Sequence, residues 1–288
     1  MKVGVIGVGD MGLAITGHLI GKQHTVSVYD IDSERAQAAG QRGAAVADSL
    51  AKLAKLAEVF VVIVSTDDQS REVTTAISEH AAPGSLIAVA ATNHPATMSE
   101  LAKLCASRGI RFIDAPVVYG ASGAKQGTLL SLCGGDEADV EFARPVLSAY
   151  SSRGVMRVGP VGAGQLAKAC NNLLHWVHCV SNFEALLLAK RYGVDAQRMR
   201  EVLLECPGYN GTLDRWDTTR FTWQEKDMDV TMDLAQEAGL VLPLSGQVDQ
   251  LVKLFKADDV AALLYGPEAS YLGVKVKPLS PAEGGLGS

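Results

Sequence analysis

A short apolar run at residues 3–6 leads straight into Gly7-Val8-Gly9-Asp10-Met11-Gly12, and helical periodicity continues over 12–20. A GxGxxG set between a strand and a helix narrows the possible folds more than any other feature of this chain. Gly7 permits a tight turn, Gly9 lets the backbone approach a pyrophosphate, and Gly12 lets the helix pack closely on the sheet. The N–H groups of the first helical turn, with Val8, Asp10 and Met11 around them, then face the phosphates. A glycine-bearing turn with no ligand is the alternative, and the flanking strand and helix speak against it. Asp30 closes the next apolar run, eighteen residues after Gly12. A carboxylate there accepts hydrogen bonds from the adenosine ribose hydroxyls and repels a 2′-phosphate. NAD is therefore expected over NADP, since no Arg or Lys follows before Arg35. Asp32, close by, suits a helix cap better than Asp30 does.

Further strands are expected at 25–29, 59–64, 86–90, 111–113 and 129–133, with helices at 33–39 and 49–56. Strands this apolar, separated by helices, predict a mostly parallel sheet covered on both faces. The pattern changes near Pro160. Leu166, Cys170, Leu173, Val177 and Val180 recur at three- and four-residue steps, which predicts a long helix to about Arg191. Beyond it, 202–204, 226–238 and 248–254 read as helix and no strand is expected. The fold class is a Rossmann-type doubly wound α/β domain followed by an all-α domain, joined by the long helix. The expected division is 1–160 for the dinucleotide, 161–191 for the helix, and 192–288 for substrate and self-association. The Pro-, Gly- and Ser-rich tail after Leu272 is expected to be loose.

Composition excludes several classes. The 288 residues are 48% apolar and 20% charged with a net charge of -6, and no stripe of Lys and Arg suggests nucleic acid. No apolar stretch is long enough to span a membrane. Five scattered cysteines with no close pair do not form a disulfide framework, so a reducing, cytoplasmic setting is expected. His175 and His178 make an HxxH, but a metal needs further ligands and none is expected.

Two more motifs follow in order. Asp114-Ala115-Pro116-Val117-Val118-Tyr119-Gly120 leads to Gly123-Ala124 and Gly127-Thr128-Leu129, and Gly162-Ala163-Gly164-Gln165-Leu166-Ala167-Lys168-Ala169-Cys170-Asn171-Asn172 opens the long helix. With the glycine turn they make the chain resemble the β-hydroxyacid dehydrogenases, a family that includes 3-hydroxyisobutyrate dehydrogenase and, more distantly, 6-phosphogluconate dehydrogenase. The likeness runs to about Gly246. It implies that Lys168 is catalytic, that Asn172 and Lys226 contact substrate, that the 118–120 loop meets the substrate carboxylate, and that Ser65, Thr66 and Thr92 border the cofactor. It also implies a homodimer or homotetramer.

The chemistry also stands without the family. Lys168 and Asn172 are four apart and His175 three further, so they share one helix face. When hydride leaves a carbinol carbon for nicotinamide, the hydroxyl proton needs an acceptor. Lys168 suits that role if burial favours its neutral form, with Asn172 holding the oxygen. His175 is the next candidate. A solvent-facing or capping lysine is the alternative.

The chain departs from relatives in several places. Val118 stands where a serine is common and Tyr119 where a glycine is, which favours a substrate with an apolar substituent. Trp176, Tyr209, Trp216 and Trp223 add aromatic surface or simply pack. Val89-Ala90-Ala91-Thr92 replaces a more polar stretch, and Ser65-Thr66-Asp67 stands where relatives often have an apolar pair followed by proline. An imine reductase on the same fold is an alternative, opposed by Lys168 and Asp30. A non-catalytic NAD-binding regulator is another, opposed by Lys168, Asn172 and Lys226.

Overall fold

The computed structural model describes residues 1–219 and 221–286; residues 220, 287 and 288 of the expected C-terminal domain lie outside it. The chain divides into two compact units, Met1–Lys168 and Ala169–Ser288.

The first unit runs β1 (Lys2–Ile6), α1 (Asp10–Gly21), β2 (Thr25–Tyr29), α2 (Ser33–Gly40), β3 (Ala45–Val46), α3 (Leu50–Ala54), β4 (Val59–Val62), α4 (Asp67–His80) and β5 (Leu86–Val89). It continues with α5 (Pro95–Ser107), β6 (Arg111–Asp114), β7 (Val117–Val118), α6 (Gly120–Gln126), β8 (Leu130–Gly134), α7 (Glu137–Leu147), β9 (Gly154–Gly159) and the start of α8 (Ala163–Arg191). The strands order as 3-2-1-4-5-6, all parallel, and then β8, which turns antiparallel against β6 and β7. That is the doubly wound order of a dinucleotide fold.

Alternation along each strand explains why both faces are covered. In β4, Val59 and Val61 join one core with β1 residues Val3 and Val5, while Phe60 and Val62 join the opposite core with Met98 and Leu101 of α5. All four β4 side chains are fully buried. Each contributes roughly 1.5–3 kcal/mol of apolar burial.

β9 is a strand that sequence pattern does not reveal. It pairs parallel to β8 alone, and its Met156 and Val158 side chains are about half exposed. An edge strand open to solvent has no need of an unbroken apolar run.

The second unit holds the rest of α8, then α9 (Ala196–Leu204), α10 (Gly211–Asp214), α11 (Gln224–Glu237), α12 (Pro243–Val252) and α13 (Ala257–Tyr265). Phe183, Trp216, Met228, Val252 and Leu263 form its core. The expectation of no strand here is corrected by β10 (Ala269–Tyr271) and β11 (Val274–Val276), an antiparallel hairpin. Its two-residue turn places Leu272 and Gly273 at positive φ, which strand periodicity cannot signal. The expected looseness of the tail is corrected too. Leu279 N–H donates to Arg191 O (2.8 Å), Leu286 N–H to Tyr192 O (3.0 Å), and the Arg191 guanidinium to Lys277 O (2.7 Å). The open carbonyls at the end of α8 thus find partners in a segment with no helical or strand pattern of its own.

Candidate active site

The glycine turn leaves β1 at the carboxyl edge of the parallel sheet. Gly7 has φ 87°, and a Cβ on it would lie 2.1 Å from Ile63 O. A Cβ on Gly12 would lie 1.9 Å from Gly7 O, so α1 can sit this close to the turn only with glycine there. Gly9 is different: the nearest atom to its Cβ position is Arg35 Nη1 at 3.7 Å. Gly9 is also the residue that caps α1, and it offers no side chain to occupy the first-turn N–H groups of Asp10, Met11 and Gly12. By contrast Asp32, Ser49 and Thr66 cap α2, α3 and α4 with their own side chains. The α1 terminus thus has the form of an anion cradle.

Asp30 sits at the end of β2. Its Oδ2 accepts the Val8 N–H at 2.7 Å and its Oδ1 the Asp32 N–H at 2.9 Å. The carboxylate braces the turn and still has lone pairs for ribose hydroxyls. The cap role falls to Asp32, which accepts from Glu34 and Arg35 N–H and pairs with the Arg35 guanidinium at 3.2 Å. These groups fit an adenosine-bearing dinucleotide: carboxylate, open helix start and close-approach glycine converge on one turn.

Two neighbouring loops carry Ser65, Thr66 and Thr92. Thr66 Oγ1 caps α4 by accepting Gln69 N–H at 3.2 Å, and Ser65 N–H donates to Gln69 Oε1 at 2.9 Å. Thr92 is half-buried just after β5. Beside it lies a polar network that sequence reasoning missed. Asn93, 1% exposed, donates through Nδ2 to Asp67 Oδ1 (3.0 Å) and accepts from Ser70 Oγ (3.0 Å). Asp67 Oδ2 accepts His94 N–H at 3.0 Å. Burial works against the Asp67 carboxylate, but hydrogen bonds from Thr97, Asn93 and His94, with Arg71 nearby, outweigh it and lower its pKa.

The start of α8 is held from the same edge of the sheet. Asp114 ends β6 fully buried and accepts Gly162 N–H (2.7 Å) and Gln165 N–H (2.8 Å). It caps a helix forty-nine residues later in sequence (163 less 114), which no local pattern announces. Desolvation raises its pKa to about 6, against the opposing pull of those N–H bonds. A Cβ on Gly164 would meet Leu132 O at 2.4 Å and Asp114 Oδ2 at 2.7 Å, which accounts for the second glycine of that motif. Gln165 then turns its amide inward, accepting Asn93 N–H at 2.9 Å and donating to Ala91 O at 2.8 Å. Lys168 follows one turn on, half-buried.

The 118–120 loop keeps an unusual backbone. Tyr119 has φ 82° and ψ 5°, and Gly120 has φ 57°. Left-handed geometry in a bulky residue costs of order 1–3 kcal/mol. The position retains the conformation a glycine would supply, and the Arg153 guanidinium stacks 4.1 Å from the Tyr119 ring centroid. Val118 is 7% exposed and offers no hydrogen bond.

In the second unit, Asn172 is buried and His175 half-buried on α8. His175 Nδ1 bonds Thr212 Oγ1 at 3.0 Å, and Cys179 Sγ lies 3.9 Å from His175 Nε2. Cys179 therefore shares the His175 face, because the two are one helical turn apart. Lys226 lies half-buried in the first turn of α11. The adjacent Asp227 accepts from Trp176 Nε1 at 3.1 Å and fixes that turn against α8. Trp176 and Trp216 are core residues, while Tyr209 and Trp223 are largely exposed. Among the described residues no group of three or more His, Cys, Asp or Glu could hold a metal ion. No helix among them is long and apolar enough to cross a membrane.

Known proteins share this arrangement. The model of the NAD-binding domain of 6-phosphogluconate dehydrogenase matches residues 2–159, and that of the NAD-binding domain of NADP-dependent 3-hydroxyisobutyrate dehydrogenase matches 162–263. A probable mitochondrial 3-hydroxyisobutyrate dehydrogenase of Dictyostelium discoideum is 30% identical over 88% of this chain and 85% of its own length. An NAD-dependent L-serine dehydrogenase of Pseudomonas aeruginosa is 30% identical over 74% of this chain and 72% of its own. The solved structure of Mycobacterium tuberculosis 3-hydroxyisobutyrate dehydrogenase with L-serine superposes with a TM-score of 0.82 at 28% identity, covering 92% of this chain and 98% of that one. A glycine turn braced by a carboxylate at the end of the next strand, a doubly wound sheet, and family matches over nearly the whole chain lead to one conclusion: the chain belongs to the β-hydroxyacid dehydrogenase family and is an NAD(P)-dependent oxidoreductase acting on a CH–OH group.

Proposed function

We propose that the protein oxidises a 3-hydroxy acid with NAD, or reduces the matching semialdehyde or ketone, with Lys168 as general acid and base. The observation that carries this reading is the stripe Lys168, Asn172 and His175 on a helix whose start is pinned at the carboxyl edge of the sheet. The glycine turn leaves the same edge. The nicotinamide ring, when bound, supplies the hydride acceptor. Gly7 to Gly12 would hold the pyrophosphate and Asp30 the ribose, which favours NAD over NADP. Ser65, Thr66 and Thr92 would border the cofactor from their loops.

Lys168 Nζ takes the hydroxyl proton as the carbonyl forms and returns it in reduction. Asn172 holds the reacting oxygen in place. The backbone N–H groups of Tyr119 and Gly120 are suited to a substrate carboxylate, and Lys226 is a separate candidate for substrate contact. With valine at 118 and tyrosine at 119, the pocket favours an apolar substituent over a small polar one. His175 stands one turn beyond Asn172 with Nδ1 engaged by Thr212, which suits substrate contact better than proton transfer. The relatives that act on 3-hydroxyisobutyrate and serine support the substrate class. A second copy of the chain would complete a dimer, and five free cysteines agree with a reducing cytoplasm.

The test is a screen by NADH absorbance. NAD is offered with serine, glycerate, 3-hydroxyisobutyrate and aryl-substituted hydroxy acids, and NADH with keto acids and cyclic imines. Turnover of hydroxy acids that vanishes in Lys168→Ala supports the reading. Reduction of imines alone moves it to the imine reductases. Activity confined to serine or glycerate overturns the apolar preference.

A further inference from the structure

We propose that Gln165 is a positioning residue that sets the rotation of α8 and thereby where Lys168 stands; this rests on Lys168 being the acid and base. Gln165 is 1% exposed, and its amide makes two opposed bonds to one backbone segment: Oε1 accepts Asn93 N–H at 2.9 Å while Nε2 donates to Ala91 O at 2.8 Å. A primary amide gives and accepts along one plane, which matches the Asn93 N–H and Ala91 O of this segment. A pair of bonds of this kind fixes an angle as well as a distance.

The angle matters because of helix geometry. At roughly 100° per residue, Lys168 lies about 60° around the helix from Gln165, and Asn172 about 20° from it. The two residues of the proposed chemistry thus lie on the face that Gln165 anchors. Asp114 holds the Gly162 and Gln165 N–H groups and fixes the helix start close to its axis. Gln165 adds two bonds at the end of a longer arm, where a turn of the helix would displace them most.

The surface it grips is itself rigid. Asn93 is held by Asp67 and Ser70 of α4, and His94 N–H by Asp67. The helix is therefore indexed to the loop carrying Thr92, the loop assigned to the cofactor. Asp67, which departs from the usual family pattern, is what braces that loop. Gln165 in effect gauges Lys168 against the cofactor.

The experiment uses the full chain with NAD and L-serine or 3-hydroxyisobutyrate, whichever turns over faster. Gln165→Leu is expected to lower kcat about a hundredfold while KM and NAD affinity change by less than about threefold, since a misplacement near 1 Å costs that much in rate. Gln165→Glu supplies a signature that a merely structural role would not produce. Its protonated carboxyl can donate to Ala91 O and accept from Asn93 N–H, whereas its carboxylate cannot donate. The ratio of its kcat to that of the wild type should therefore rise as pH falls. A ratio flat with pH, or a Gln165→Leu enzyme within about threefold of wild-type kcat, overturns the proposal. If Gln165→Leu does not fold, the Gln165→Glu ratio decides alone. Lys168→Ala separates the two ideas: undiminished turnover there removes the acid–base reading itself, whatever the Gln165 variants do.

Discussion

The glycine turn after β1 and the start of α8 meet the same edge of the sheet, but they are built from different materials. The turn works through backbone. Its N–H groups form the cradle, its glycines are spaces rather than contacts, and only Asp30 adds a side chain. The α8 start works through side chains brought from elsewhere, with Asp114 from the end of β6 and Gln165 locked into the Ala91–Asn93 backbone. The first rests on backbone geometry that its glycines permit. The second depends on a few polar groups that have no local reason to be there.

Substitutions can break that contrast. The largest effect is expected for Lys168→Ala, which should lower kcat on the order of a thousandfold while NAD still binds, because acid–base catalysis contributes 10²–10⁴. Rate measurements beside a fluorescence titration with NADH check this, and weakened NADH binding would mean the two parts are not separable.

Gly12→Ala and Gly9→Ala sharpen the contrast within the turn. An added methyl at Gly12 would meet Gly7 O at 1.9 Å, so stability should fall by roughly 1–3 kcal/mol along with NAD affinity. At Gly9 the nearest atom is 3.7 Å away. That variant should melt like the wild type and still lose NAD affinity, if the Gly9 backbone is what approaches the pyrophosphate. Equal melting temperatures for both variants would show that Gly12 is not a packing position.

Asp114 tests the side-chain-built region through pH. Its pKa is raised from 3.8 to about 6 by burial, so the folded state holds the proton more tightly than the unfolded one. This group's stabilising contribution is full below pH 4 and is lost as pH rises through 6, on the order of 3 kcal/mol in all. Asp114→Asn should flatten that slope in urea melts between pH 4 and 7, and an unchanged slope would assign it to another group.

Asp30→Ala should have the smallest effect, weakening NAD binding by about 1–2 kcal/mol and NADP binding less. Equal losses would leave Asp30 only its brace on Val8 N–H.

What the sequence shows follows the same division. The turn, the helix spacing of Lys168, Asn172 and His175, and the apolar strands were all legible because each rests on neighbours in the chain. The polar supports were not. Asp114 looked like part of a loop motif and proved to cap a distant helix. Asp67 looked like a departure and proved to brace Asn93. Asp227, beside Lys226, receives the Trp176 indole from fifty-one residues away. A hydrogen bond between residues far apart in sequence leaves no periodicity behind it.

By itself the sequence determined the fold class, the glycine turn that opens α1 and the family. Strand and helix periods, and the steric uniqueness of glycine at positive φ or in close contact, act within a few residues and so are written locally. Only the tertiary structure decided that Tyr119 adopts a glycine's conformation beneath Arg153, that the tail closes on the end of α8, and that Gln165 grips the Ala91–Asn93 segment. Those outcomes depend on which buried donors and acceptors remain to be paired once the core has closed, and that pairing exists only in three dimensions.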